Sequence, residues 1–179
     1  MIAPDPDPAS NLDPSRFRDA LHAVYARLDR EIRQRSPVCA LSGRCCRFEE
    51  YEHTLFLSAP EAALLLDEAP APVRPLDEGA TCPWQDQAGR CTAREARPVG
   101  CRVYFCDPSY QNQLPEVGEA AIADLKRVVD ELNLPWNYAP LHHHLRTAQA
   151  EGRFPPAQPA HPSLEAGSQA QKPRLAPAP

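Results

Sequence analysis

The segment Cys82-Pro83-Trp84-Gln85-Asp86-Gln87-Ala88-Gly89-Arg90-Cys91-Thr92-Ala93-Arg94-Glu95-Ala96-Arg97-Pro98-Val99-Gly100-Cys101-Arg102-Val103-Tyr104-Phe105-Cys106 fits neither regular pattern. It shows no sustained 3.6-residue recurrence of an amphipathic helix and no alternation of a half-buried strand. Its order must come from something besides amphipathic packing. What the segment carries is thiols: Cys82, Cys91, Cys101 and Cys106, with Cys39, Cys45 and Cys46 upstream. These are all seven cysteines of a 179-residue chain, and they are confined to residues 39–106. Scattered at random, all seven would land in that particular stretch in about one chain in a thousand.

Three uses of so many thiols compete. Disulfides need an oxidising compartment. Seven is odd, and the opening Met1–Pro8 lacks the basic start and apolar stretch of an export signal. Cysteine as a small apolar side chain suits isolated core positions better than seven residues flanked by charge and proline. Metal ligation takes the rest, because thiolates are soft donors suited to zinc, copper(I) or iron–sulfur centres. Within that reading the spacing excludes familiar sites. There is no C-x-x-C knuckle and no bacterial ferredoxin run. Adjacent side chains diverge in a regular backbone, so either one of Cys45 and Cys46 is not a ligand or the two serve different metals. Two zinc ions sharing one thiolate would use all seven sulfurs, whereas a four-iron cluster would use four and leave three. The count leaves both open.

Arginine crowds the same residues: Arg44, Arg47, Arg90, Arg94, Arg97 and Arg102. Cations beside gathered thiols lower their pKa and favour metal uptake. Arg97 and Arg102, next to Pro98 and Cys101, are the candidates for a supporting shell around the metal. Pro83 and Pro98 would stiffen the ligand loops, and Gly100 would permit a positive φ beside a ligand. Phe48, Tyr51, Phe56, Trp84, Tyr104 and Phe105 are expected to limit water near the centre. His142-His143-His144 cannot all face one ion, since helical neighbours point about 100° apart, and they read as a solvated run. His53 is a second-rank ligand candidate. No catalytic residue stands out: there is no phosphate loop, nucleophile elbow, dinucleotide fingerprint or zinc-protease motif.

The rest of the chain is more regular. Residues 13–35 predict a helix with Asp13 as cap, Pro14 at its start, and Phe17, Leu21, Val24, Leu28 and Ile32 on one face. His53–Leu57 reads as a short strand, and Ser58 with Glu61 as a capping box for the apolar run that follows. Residues 69–81 read as loop, 117–132 as a helix stopped by Asn133 and Pro135, and 141–151 as a weaker helix. The fold class is α+β, mainly helical, with few short strands around a small irregular cysteine-rich core organised by metal. The expected organisation is a disordered N-terminus over 1–12, one cysteine-cluster domain over 13–150, and a disordered Pro/Ala-rich tail over 151–179. No apolar run approaches the length of a membrane span. A net charge of −5 argues against a broad nucleic-acid surface. A cytoplasmic protein with no membrane contact is expected.

The combination Cys39-x5-Cys45-Cys46, Cys82-Pro83-Trp84, Gly89-Arg90-Cys91 and Arg97-Pro98-Val99-Gly100-Cys101-Arg102-Val103-Tyr104-Phe105-Cys106 resembles the YkgJ-like cysteine-cluster family. The resemblance covers residues 39–108. That family is described as a zinc- or iron-chelating domain and often called an iron–sulfur-cluster protein, and it is related to the flagellin lysine N-methylases. The resemblance implies metal chelation through Cys39, Cys45, Cys46, Cys82, Cys91, Cys101 and Cys106, with an iron–sulfur cluster or zinc as cofactor and iron as the favoured metal. It implies no agreed reaction. Ser42 stands where the family's CxxCxxCC opening has a cysteine, and a hydroxyl is a poor ligand for a soft metal, so Cys39 carries over least directly. The expected function is a metal-binding protein in a redox or metal-handling role. Two alternatives remain: an N-methylase-like group-transfer enzyme, which needs a pocket beside Cys101 or Cys46, and an interaction module shaped by structural zinc.

Overall fold

The computed structural model describes residues 14–77 and 79–158. The expected N-terminal segment, the Asp13 cap and the tail beyond 158 lie outside the described residues. Within them the chain is mainly helical, with five α-helices and one small antiparallel sheet. Helix α1 spans Pro14–Arg35 and buries the face formed by Leu21, Val24, Leu28 and Ile32. Helix α4 (Leu114–Glu131) turns Val117, Ala121 and Leu125 onto the same core. Each fully buried Leu or Val there contributes about 1.5–3 kcal/mol. Helix α4 starts three residues earlier than its periodicity predicts. Tyr110 supplies the reason, because its carbonyl accepts Leu114 N–H at 3.1 Å and prolongs a turn into the helix.

One strand of the sheet lies between these helices and the other follows α4. Strand β1 (Phe56–Ser58) pairs with β2 (Tyr138–Pro140), Leu57 opposite Ala139. Three residues ending in proline have no alternation to display, so β2 is a strand only by virtue of its partner. Helix α2 (Ala59–Glu68) follows β1 directly, started by the expected capping box: Glu61 N–H donates to Ser58 Oγ and Ser58 N–H to Glu61 Oε2. Helix α5 (Leu141–Ala150) follows β2, and its buried His144 pairs Nε2 with Leu57 O at 3.0 Å. His142 lies against Gly79 and His143 is exposed, so the three histidines diverge around the helix.

Two cores result. One joins α1, α4, Leu64 of α2, and Val99 and Val103 of a five-residue helix α3 (Val99–Val103). The other gathers Cys46, Cys82 and Trp84 with Leu57, Leu65, Leu141 and Leu145. Phe154 and Gln158, which composition assigns to the tail, make contacts with this half of the molecule. Phe154 meets the Trp84 ring edge-on at 6.1 Å, and Gln158 N–H donates to Pro72 O at 2.7 Å. No helix among the described residues is long and apolar enough to cross a membrane.

Candidate metal centre

The cysteines ride on loops that backbone bonds stitch together. Gly43, at φ +70°, leads into a single 3₁₀ turn over Arg44–Cys46. The buried Gln85 amide donates to Gly43 O at 2.9 Å and to Gly89 O at 3.3 Å, joining two loops. Cys82 N–H donates to Cys46 O at 2.8 Å, and Thr92 N–H to Trp84 O at 2.8 Å. Isolated antiparallel bridges pair Arg47 with Thr81 and Gln85 with Cys91. Helix α3 brings Cys101 in from a different direction. Its first amide, Val99 N–H, donates to Glu61 Oε1 at 2.8 Å.

Cys45 and Cys46 do not diverge. Their sulfurs stand 3.9 Å apart, because a tight turn entered through a left-handed glycine is not a regular backbone. The Cys82 and Cys91 thiols lie close enough to Cys46 to push its pKa up. Cys101 lies within electrostatic reach of Cys82, Cys91 and Cys45. Five thiols from three separated segments thus converge on one region. Cys106 stands outside the set, its sulfur 3.3 Å from Ser42 Oγ. Cys39 is exposed, and its neighbour Val38 donates N–H to Asp107 Oδ2 at 2.9 Å.

Protonation within the cluster is unequal. Hydrogen bonding from Cys46 lowers Cys45 to about 6, helped by the guanidinium groups of Arg97 and Arg94. The same Cys46 donor lowers Cys91 to about 7. Cys46, shared among Cys45, Cys82 and Cys91, is pushed far up and keeps its proton. Burial and the neighbouring thiols push Cys101 up as well. Negative charge in the cluster therefore rests first on Cys45 and Cys91.

The two arginines singled out from sequence do different things. Arg97 donates Nε–H to Arg94 O at 3.0 Å and lends its charge to Cys45, Cys91 and Cys101. Arg102 turns away from the sulfurs. It binds Asp29 Oδ2 at 2.8 Å, Arg97 O at 2.7 Å and Glu95 O at 2.5 Å, and lies over the Tyr25 ring. Arg44 and Arg47 sit on Tyr51. Of the expected aromatic shell, Phe48 and Trp84 are buried with the thiols, but Phe105 packs in the helical core against Tyr110, and Phe56 is exposed. Gly100 does not take a positive φ. It is helical, and a methyl group there would stand 2.7 Å from Leu55 Cδ1.

Glu61 is the residue whose larger role sequence reasoning missed. Its carboxylate is buried and accepts from Ser58 N–H at 3.0 Å, Ser58 Oγ at 3.1 Å, Val99 N–H at 2.8 Å and Tyr25 OH at 3.3 Å. Burial holds its pKa above the ordinary carboxylate range despite these donors. The capping-box spacing locates Glu61 on α2, and nothing in the sequence signals its reach across to α3.

Thiolates suit a soft metal in kind. Among the described residues, however, no group of three or more His, Cys, Asp or Glu side chains is disposed to hold an ion. A cavity of about 290 Å³ opens beside them, lined by Cys45 and Cys101 together with His53, Leu55, Tyr104 and Tyr138. Fold and site together define a small, mainly helical protein whose second core incorporates a cysteine cluster. No protein-family model, curated protein or solved structure matches the chain.

Proposed function

We propose that this is a metal-binding cysteine-cluster protein of the YkgJ-like kind, carrying an iron–sulfur centre or zinc in a redox or metal-handling role in the reducing cytoplasm. One observation supports the reading above others: the thiols of Cys45, Cys46, Cys82, Cys91 and Cys101 come from three stretches of chain and lie within mutual reach. Gathering several thiolates is costly unless a cation binds them, because their negative charges repel. All seven cysteines are free, so none is already used in a disulfide. When bound, such a centre would supply electron storage if iron–sulfur, or shape and Lewis acidity if zinc.

Anaerobic purification with elemental analysis and an absorption spectrum is the test. Iron with acid-labile sulfide and a brown, reducible chromophore supports the cluster, while colourless protein with stoichiometric zinc supports the structural ion. Cys46→Ser and Cys82→Ser are expected to lose the metal and Cys39→Ser to keep it. Removing it should lower Tm by about 10 °C, the effect of a ligand held well above its Kd. Metal-free protein, or full loading of Cys46→Ser and Cys82→Ser, rejects the reading. The N-methylase-like alternative draws on a different observation, the cavity beside Cys101.

A further inference from the structure

Between α1 and the turn that carries Cys45 and Cys46, the chain holds an aliphatic pair out in solvent. Val38 and Leu41 are 67% and 60% exposed, more than any other large apolar residue described, and Cys39 and Ala40 between them are exposed as well. Four open, uncharged residues in a row form a patch rather than single scattered side chains. The loop is pinned at both ends. Val38 N–H donates to Asp107 Oδ2 at 2.9 Å, and Asp107 Oδ1 is held in turn by Ser109 N–H at 2.9 Å and Ser109 Oγ at 2.6 Å. At the far end Arg47 Nη2 donates to Ser42 O at 2.8 Å. Between these pins Leu41 takes φ +50°, a left-handed conformation that strains a residue with a branched apolar side chain. The fold therefore keeps Leu41 in a costly conformation while leaving most of its side chain uncovered. Strain of that kind persists at positions that serve binding.

The charge beside the pair is positive. Arg35 and Arg47 are bound to Glu31 and Glu50, but Arg33 before the loop and Arg44 after it are exposed and pair with no carboxylate among the described residues. Arg94 and Arg97 carry the same sign on to Cys45. Asp107, the carboxylate against the loop, is already engaged by its own donors. We propose that the Val38–Leu41 loop is the docking site of an acidic partner protein, with the two aliphatic side chains as anchor and Arg33 and Arg44 as rim. An apolar centre ringed by arginine is the usual anatomy of such a surface, and unpaired guanidinium forks select carboxylates. A second copy fits worse, because a two-fold contact through this loop sets Arg33 and Arg44 against themselves. An anionic bilayer fits worse too, since the chain carries a net charge of −5. The inference stands apart from the metal: docking here needs no occupied centre, so either reading can fail alone.

The test titrates the full-length protein with a synthetic peptide of alternating glutamate and leucine pairs, followed by calorimetry and backbone amide shifts. Saturable binding that shifts Val38, Cys39, Leu41 and Arg44, and weakens about tenfold from low to high salt, is expected. Leu41→Asn suits the left-handed backbone and removes the anchor. It should keep or raise Tm while weakening the peptide about tenfold. Arg44→Glu should weaken it as much, and the same charge change on α4, Lys126→Glu, should leave it unchanged. Val38→Ser provides a second loss of anchor with no change of backbone preference towards the left-handed region. No saturable binding, equal binding of the peptide with lysine in place of glutamate, shifts confined to other parts of the molecule, or full affinity in Leu41→Asn and Val38→Ser overturns the proposal. So does a lowered Tm in Leu41→Asn, which would make the leucine a packing residue. Adsorption to phosphatidylserine vesicles, or self-association in sedimentation, that is lost in Leu41→Asn assigns the loop to another occupant and overturns it as well.

Discussion

Glu61 shows how much one side chain can hold. It caps its own helix through Ser58, accepts the first amide of α3, and receives the Tyr25 hydroxyl from α1. Three helices therefore meet at one carboxylate, and α3 is the helix that presents Cys101. Glu61→Ala should cost about 2–4 kcal/mol in urea unfolding, because it strands buried donors. The pH dependence has a definite sign. Burial raises the folded pKa above the unfolded 4.5, so the folded chain binds this proton more tightly than the unfolded one. Its contribution is full below about pH 4.5 and is lost as pH rises through the folded value. Glu61→Gln removes that slope, so the stability difference between wild type and Glu61→Gln should shift against wild type from pH 4 towards neutrality. A difference that stays flat across that window rejects the assignment.

At the scale of elements, the loops around the thiols are shaped by close approach. Gly43 is the tightest point. It sits at φ +70°, and a methyl group there would meet Gly89 O and stand 2.6 Å from Gln85 Nε2. Neither a backbone carbonyl nor a buried amide bonded to both loops can step aside cheaply. Gly43→Ala should therefore cost about 2–3 kcal/mol, combining left-handed strain with overpacking. It should also separate Cys45 and Cys46 from Cys91, which a bifunctional thiol crosslinker would report as lost Cys45–Cys91 product, since these two thiols ionise most readily. The capping box at Ser58 and the apolar stripes of α1 and α4 were legible because they are local: a spacing of three or four residues is enough to state them. Strand β2 and helix α3 were not, since a three-residue strand and a five-residue helix are too short for a period and exist through their partners.

For the whole molecule, the two cores divide the work. The helical core rests on long amphipathic elements, whereas the cysteine half rests on loops, one aromatic anchor and the bonds between them. Trp84 anchors that half: it is buried, donates Nε1–H to Pro70 O at 2.8 Å, and meets Phe154. Phe154→Ala should cost about 2 kcal/mol, less than a fully buried phenylalanine. Hydrogen exchange should then quicken at Thr92 and Cys82 while α1 and α4 stay protected. Uniform quickening across both halves would mean the cores do not open separately.

By itself the sequence determined the helical class, most helix positions, the capping box and the crowding of thiols into one stretch, because propensity, periodicity and composition are local properties. Only the tertiary structure decided which cysteines meet. It drew five together, left Cys39 exposed, set Cys106 beside Ser42, and turned Arg102 from the sulfurs to Asp29. Those outcomes depend on contacts between residues far apart in the chain, set by a left-handed glycine, a bridging glutamine amide and a buried carboxylate, none of which announces its partner in the sequence.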